Sequence, residues 1–343
     1  MNGPFGTVGG GPGGGPVERA FVAVERALVR AEWPPRPAGN AYITFRWVRA
    51  VEEEVHMGVY VVTGSASGMG REVAAKLIAA GHTVIGVDLK DAEVIADLST
   101  AAGRDGAVKE VLARSEGELS GAVLAAGLGP GRGKDRPRLI AEVNYFGVVD
   151  LLEGFREALA ATDTAKVVVF SSNSTTTVPA VPRRAIRAFQ AGDCDKAVRS
   201  FRFYGKGASV MAYASSKIAV SRWVRHHAVS PRWAGAGIRL NALAPGAILT
   251  PLLEAQLASP TESKAVKRFP VPVGGFGDPG KLADWVIFML SDAADFLCGS
   301  VIFVDGGTDA YFRPDDWPRG VPLHRIAPYL YRFQSFGRRR KSG

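Results

Sequence analysis

The chain has 343 residues, 47% hydrophobic and 22% charged, which supplies enough apolar side chains for a sizeable buried core. Charged residues cut every apolar run short of the ~18 residues a membrane-spanning helix needs, and no basic segment followed by an apolar core opens the chain, so a cytoplasmic protein without a membrane partner is expected. The net charge of +9 is concentrated in residues 180–211, with seven basic and two acidic side chains, and in residues 313–343, with eight and two, so no nucleic-acid partner is expected of the body.

The two cysteines, Cys194 and Cys298, lie far apart and have no His or Cys at metal-ligand spacing, which predicts reduced thiols and no metal site. Residues 1–56 open with a Gly/Pro-rich run that reads as a disordered extension. A short helical pattern over 17–31 is stopped by Pro34, Pro35 and Pro37.

From Val59 onward, short β-branched runs alternate with amphipathic stretches, the pattern of βαβ units. Strands are predicted at 59–63, 83–88, 94–96, 122–125, 167–171, 238–244 and 301–305. Seven strands with intervening helices predict an α/β fold, a doubly wound parallel sheet of Rossmann type in one domain over 57–318. The link from Asp88 to Val94 is too short for a helical crossover, so a helix is expected to be missing there. Residues 319–343 read as a flexible basic tail.

The first strand runs into Thr63-Gly64-Ser65-Ala66-Ser67-Gly68-Met69-Gly70 and then into a helical pattern. Glycines in that position let the backbone approach a pyrophosphate, whose charge meets the N–H groups of the helix N-terminus. Asp88, ending the second strand, is placed to accept hydrogen bonds from both ribose hydroxyls of a dinucleotide, and it would repel a 2′-phosphate. That favours NAD(H), with Lys90 and Arg71 nearby to soften the preference. Asp97, followed by Leu98, either contacts adenine or caps the next helix.

In Tyr213-Ala214-Ser215-Ser216-Lys217 a phenol and an ammonium stand four residues apart, on one face of a helix. An unperturbed phenol titrates too high to exchange protons at neutral pH, so a neighbouring cation is what a tyrosine acid/base needs. Ser171 and Ser172 end the fifth strand, on the sheet edge where ligands bind; one hydroxyl could hold a substrate oxygen, or both could serve a turn.

Thr63 to Gly70, Asp88, Asn144 in Val143-Asn144-Tyr145-Phe146-Gly147, Ser172, Tyr213 with Lys217, and Pro245-Gly246 ahead of Thr250 together resemble the short-chain dehydrogenase/reductase family over about 57–314. Within it, residues 91–100, Ala126-Gly127-Leu128-Gly129-Pro130 and Asp305-Gly306-Gly307 are similar to the bacterial 3α-hydroxysteroid dehydrogenases/carbonyl reductases. The resemblance implies an NAD-dependent oxidoreductase in which Tyr213 is the general acid/base. Lys217 would favour the phenolate and bind the nicotinamide ribose, Ser172 position the substrate oxygen, and Asn144 hold a water that passes protons to Lys217. It places Gly64, Ser67, Gly68, Met69, Gly70, Asp88, Asp97, Leu98, Ala126, Gly127, Pro245, Gly246 and Thr250 at the cofactor. The implied substrate is a 3-hydroxysteroid or another bulky apolar alcohol, turned over by a homo-oligomer. An acidic alcohol, or an NAD-binding regulator without catalysis, are the alternatives.

Two features depart from the family. Its usual Asn-Asn-Ala-Gly is here Leu124-Ala125-Ala126-Gly127, so backbone or packing must replace the amide support beneath the cofactor. Ser172 and Tyr213 are 41 residues apart, a much longer gap than usual, and the insert 174–212 is basic and aromatic. Helix-compatible spacing at 185–191 and 196–203 predicts that Phe189, Phe201 and Phe203 form part of the substrate pocket wall, with a subunit contact as the alternative.

Overall fold

The computed structural model describes residues 57–259, 263–316 and 320–341. The expected disorder of 1–56 lies outside the described residues. All seven predicted strands are present: β1 (Val59–Thr63), β2 (Thr83–Asp88), β3 (Val94–Ile95), β4 (Gly121–Leu124), β5 (Lys166–Phe170), β6 (Arg239–Pro245) and β7 (Val301–Val304). They form one sheet in the order β3-β2-β1-β4-β5-β6-β7, and every neighbouring pair is parallel. The order reverses between β1 and β4, which opens a crevice at the carboxyl ends of those strands.

Alternation along the strands feeds two apolar layers. Val61, Ile85, Ala122, Val167, Val169 and Leu240 face one way, and Tyr60, Val62, Val123, Val168, Phe170 and Leu243 the other. The second face is covered by α1 (Gly68–Ala79), through Val73 and Leu77. The first is covered by α2 (Ala101–Arg114) and by α4 (Gly147–Ala160), where Val148, Leu151, Leu152, Phe155 and Leu159 recur at helical spacing and are fully or nearly buried. Burial of a side chain such as Phe155 stabilises the fold by about 1.5–3 kcal/mol.

Between β2 and β3 there is no helix, as predicted, and the five linking residues form bends. Because β3 begins only opposite Val87, the Gly86 N–H lacks a strand partner, and the Glu93 carboxylate accepts its hydrogen bond at 2.8 Å. Between α3 (Arg136–Ala141) and α4 the chain widens into a π-turn, Glu142–Phe146, a geometry found mostly as single turns at functional sites. Arg104, 6% exposed, clamps this region: it donates to Asp150 at 2.7 Å, to Glu142 at 3.1 Å and to the Leu98 carbonyl at 3.1 Å.

The insert folds as a short helix α5 (Ser174–Thr177), then α6 (Arg183–Gln190) and α7 (Cys194–Arg199), and a 3-10 turn Arg202–Gly207 leads into α8 (Ala208–His227). Beyond β6 come α9 (Pro251–Ala258), α10 (Ser263–Arg268) and α11 (Pro279–Leu290), and beyond β7 α12 (Thr308–Phe312). The basic tail contains a helix, α13 (Ile326–Lys341), which its Pro- and Arg-rich composition had not predicted.

Candidate active site

The glycine-rich turn sits at the crevice. Gly64 has φ +71°, and a Cβ there would stand 2.9 Å from the Ala126 nitrogen, so both the backbone conformation and the space demand glycine. Gly70 is buried where α1 crosses that turn, and a side chain would run into the Gly64 carbonyl. Ser67 is exposed at the N-cap, Gly68 has φ +55°, and Met69 packs half-buried on the core. Asp88 closes the turn from the side: one carboxylate oxygen accepts from the Ala66 N–H at 3.0 Å and the other from the Leu89 N–H at 2.7 Å. A carboxylate is thereby fixed beside the N-terminus of α1, where a dinucleotide's adenosine ribose would lie.

Asp97 follows β3 and is not the cap of α2. Its carboxylate accepts from the Ser99 N–H at 2.9 Å and is held below the ordinary carboxylate range by hydrogen bonds from Ser99. Thr100 is the residue that caps α2, accepting from the Gly103 N–H at 3.0 Å. Leu98 is buried in the core.

The missing amide support has a replacement that the sequence reading did not single out. Thr63 ends β1, is 1% exposed, and its hydroxyl accepts from the Ala126 N–H at 3.0 Å. One turn further, a Cβ on Gly127 would stand 3.4 Å from Asn144 Oδ1 and 3.8 Å from Lys217 Nζ, so loop, π-turn and α8 converge there. The Asn144 carboxamide fastens two backbone segments: Oδ1 accepts from the Leu128 N–H and Nδ2 donates to the Leu128 carbonyl. One Nδ2 hydrogen and one Oδ1 lone pair are left over from this pair.

Ser171 and Ser172 part company because successive strand residues point to opposite faces. Ser171 pairs with the Ser221 hydroxyl at 2.6 Å inside the protein and ties β5 to α8. Ser172 faces the other way, accepts from the Ser174 N–H at 3.1 Å, and meets the Tyr213 phenol. Burial raises the Tyr213 pKa above its ordinary value, and the hydrogen bond with Ser172 opposes that rise. Lys217, 4% exposed, donates from Nζ to the Phe170 carbonyl at 2.7 Å, and burial brings its pKa down to about 8. Lys217 Nζ thus points to the end of β5, one helical turn from the phenol, and Ser172 is the side chain that hydrogen-bonds that phenol.

Pro245 ends β6 and its carbonyl accepts from the Asn173 N–H at 2.9 Å, joining the Ser172 strand end to the Gly246 turn. A Cβ on Gly246 would stand 2.6 Å from Asp305 Cα. Thr250 immediately precedes α9 and rests against the glycine-rich turn, 3.6 Å from where a Gly68 Cβ would be. The site residues read from the sequence lie along the carboxyl edge of the sheet, with Asp97 and Leu98 just beyond the end of β3, the edge strand.

Two of the insert aromatics, Phe189 and Phe201, belong to the core and not to a pocket wall. Phe189 and Phe201 are 0% and 1% exposed and belong to the main core, where Phe189 meets the rings of Tyr145 and Phe146 at 5.1 and 6.2 Å. Phe203 is 72% exposed under the Arg202 guanidinium. Among the described residues no group of His, Cys, Asp and Glu could hold a metal ion, and no helix is long and apolar enough to cross a membrane.

Comparison with known proteins agrees with this geometry. Residues 64–309 match the family model described as enoyl-(acyl carrier protein) reductase. The chain is 40% identical over 258 residues to a 3-alpha-hydroxysteroid dehydrogenase/carbonyl reductase of Comamonas testosteroni, covering 75% of this chain and 99% of that one. It is 30% identical over 257 residues to a cis-4-hydroxycyclohexanecarboxylate dehydrogenase of Sinomonas cyclohexanicum, covering 74% and 96%. Among solved structures it is similar to the 3-alpha-hydroxysteroid dehydrogenase of Pseudomonas sp. B-0831 complexed with NADH, at 42% identity and a TM-score of 0.70 over 76% of this chain and 100% of that one.

Proposed function

The chain belongs to the short-chain dehydrogenase/reductase family, and on that premise we propose that it is an NAD(H)-dependent oxidoreductase interconverting a bulky apolar secondary alcohol, of the 3-hydroxysteroid kind, and its ketone. The observation that carries the reading is the meeting of the Ser172 hydroxyl and the Tyr213 phenol at the sheet edge, with Lys217 one helical turn away.

The residues present fit a dinucleotide. Gly64, Ser67, Gly68, Met69 and Gly70 form the cradle for the pyrophosphate, Asp88 the ribose clamp, and Asp97 and Leu98 flank the adenine end. Ala126, Gly127, Pro245, Gly246 and Thr250 bound the nicotinamide end. The carboxylate of Asp88 disfavours a 2′-phosphate and so selects NAD(H). When bound, the nicotinamide supplies or accepts the hydride at the carbonyl carbon.

The chain's own groups handle the proton. Ser172 holds the substrate oxygen by a hydrogen bond, and Tyr213 donates its phenolic proton to that oxygen in reduction and removes it in oxidation. Lys217 binds the nicotinamide ribose, and its cation, freed from the Phe170 carbonyl, favours the phenolate. Asn144 is a positioning residue that holds the loop carrying Gly127 against Lys217.

A hydroxy-carboxylate is a second substrate class, favoured by the exposed arginines of the insert, Arg183, Arg187 and Arg199. Exposed Trp285, Phe288 and Phe296 support a homo-oligomer. Mixing purified protein with NAD+ and a panel of 3-hydroxysteroids and cyclic hydroxy-carboxylates, while following absorbance of the reduced cofactor, tests the assignment. Turnover should be fastest with a steroid; an inert panel in the presence of tight NAD+ binding would make the protein a sensor instead.

A further inference from the structure

The segment beyond residue 309 lies outside the stretch that the family model matches. Between 319 and 343 it carries seven Arg and Lys side chains and no Asp or Glu. It also contains α13, Ile326–Lys341. With about 3.6 residues per turn, Ile326, Tyr329, Leu330, Phe333 and Phe336 fall on one side of that helix. Tyr329, Phe333 and Phe336 are 47%, 44% and 65% exposed, and the main neighbour of α13 is the short turn Leu323–Arg325 just before it. A contiguous aromatic face left in water marks a surface that another body covers.

We propose that α13 lies flat in the surface of an anionic phospholipid membrane, its aromatic face at the boundary of headgroups and acyl chains and its arginines on the lipid phosphates. Three observations select this occupant. The helix has 16 residues, short of the ~20 a span requires, which suits a helix lying on a bilayer. A helical segment that combines an apolar face rich in Phe and Tyr with a run of Arg and Lys has the composition of interfacial helices, and clustered basic residues are drawn to anionic leaflets. A second copy of the chain would bring two such all-basic segments together, and the aliphatic Ile326 and Leu330 offer nothing to nucleic-acid bases.

Co-sedimentation of the full chain with vesicles of phosphatidylcholine, with and without phosphatidylglycerol, tests the proposal. Binding should require phosphatidylglycerol and weaken with added salt. Changing Arg338, Arg339 or Arg340 to Gln should weaken it about fivefold for each cation removed. The double change Phe333→Ser and Phe336→Ser should weaken it at least about tenfold while leaving the melting temperature of the body unchanged. The proposal is overturned by equal binding to neutral and anionic vesicles, or by Phe variants that bind as the wild type does. It is also overturned if the Phe substitutions abolish a concentration-dependent dimer in place of vesicle binding, or if DNA at equal phosphate concentration binds more tightly than the vesicles and is indifferent to them.

Discussion

The Asn144 side chain and the Leu128 backbone form a closed pair of hydrogen bonds, 2.7 Å into Oδ1 and 2.9 Å from Nδ2. A carboxamide presents donor and acceptor as a peptide group does, so Asn144 joins the π-turn to the glycine loop as an extra strand residue would. Asn144→Asp leaves a carboxylate facing the Leu128 carbonyl inside the protein. It is expected to cost about 1–3 kcal/mol of stability and to raise the KM for NAD+. An unchanged melting curve with an unchanged KM would show that the pair holds nothing in place.

Tyr213→Phe removes the phenol that meets Ser172 and that we propose carries the proton. Turnover should fall about 10²–10⁴-fold, while the affinity for NADH, read by fluorescence titration, stays near the wild type. Activity within a few-fold of the wild type would move the acid/base role to another residue.

Lys217 has a folded-state pKa depressed to about 8 by burial, so the unfolded chain holds the proton to higher pH than the native one. Its contribution to stability is present above the unfolded lysine value and is lost as pH falls through the folded one. Lys217→Met should therefore be inactive yet more stable at pH ~7, by about 1–3 kcal/mol, with the gain vanishing as pH rises toward ~10.5. Parallel pH–stability curves for the two proteins would contradict this.

Asp88→Ala removes both the carboxylate that repels a 2′-phosphate and the acceptor for the Ala66 and Leu89 N–H groups. The ratio of kcat/KM for NAD+ over NADP+ should drop by at least about tenfold, chiefly through loss of the NAD+ contacts. A ratio that stays at the wild-type level would sink the ribose-clamp role.

Phe189→Ala and Phe201→Ala should each destabilise the protein by about 3–5 kcal/mol, because both rings are buried in the main core. Phe203→Ala should stay within about 0.5 kcal/mol, its ring being exposed. Denaturant titration ranks the three, and a Phe203 variant as unstable as the others would place that ring in a contact the fold does not show.

Six of the seven strands were legible because short apolar runs of four to seven residues, separated by helical spacing, have few other solutions, and parallel pairing follows from the intervening helices; β3, of two residues, follows β2 without one. The glycine-rich turn and Asp88 were legible from their places at strand ends, whereas Ser172, Tyr213 and Lys217 were legible through the family pattern that their joint spacing resembles. The sequence by itself therefore determined the fold class, the sheet and the positions of the chemical groups.

Tertiary structure decided what those groups touch. Which of Ser171 and Ser172 faces the site depends on the exit of β5 past α8, and whether Phe189 is core or pocket depends on how α6 meets the π-turn. Thr63 as the support for Ala126, and the Phe170 carbonyl as the anchor of Lys217, are contacts across 63 and 47 residues. A hydrogen bond between side chain and backbone so distant leaves no period or local propensity in the sequence, because any strand-end hydroxyl or carbonyl could make it. Only the register of one strand against the next selects the partner.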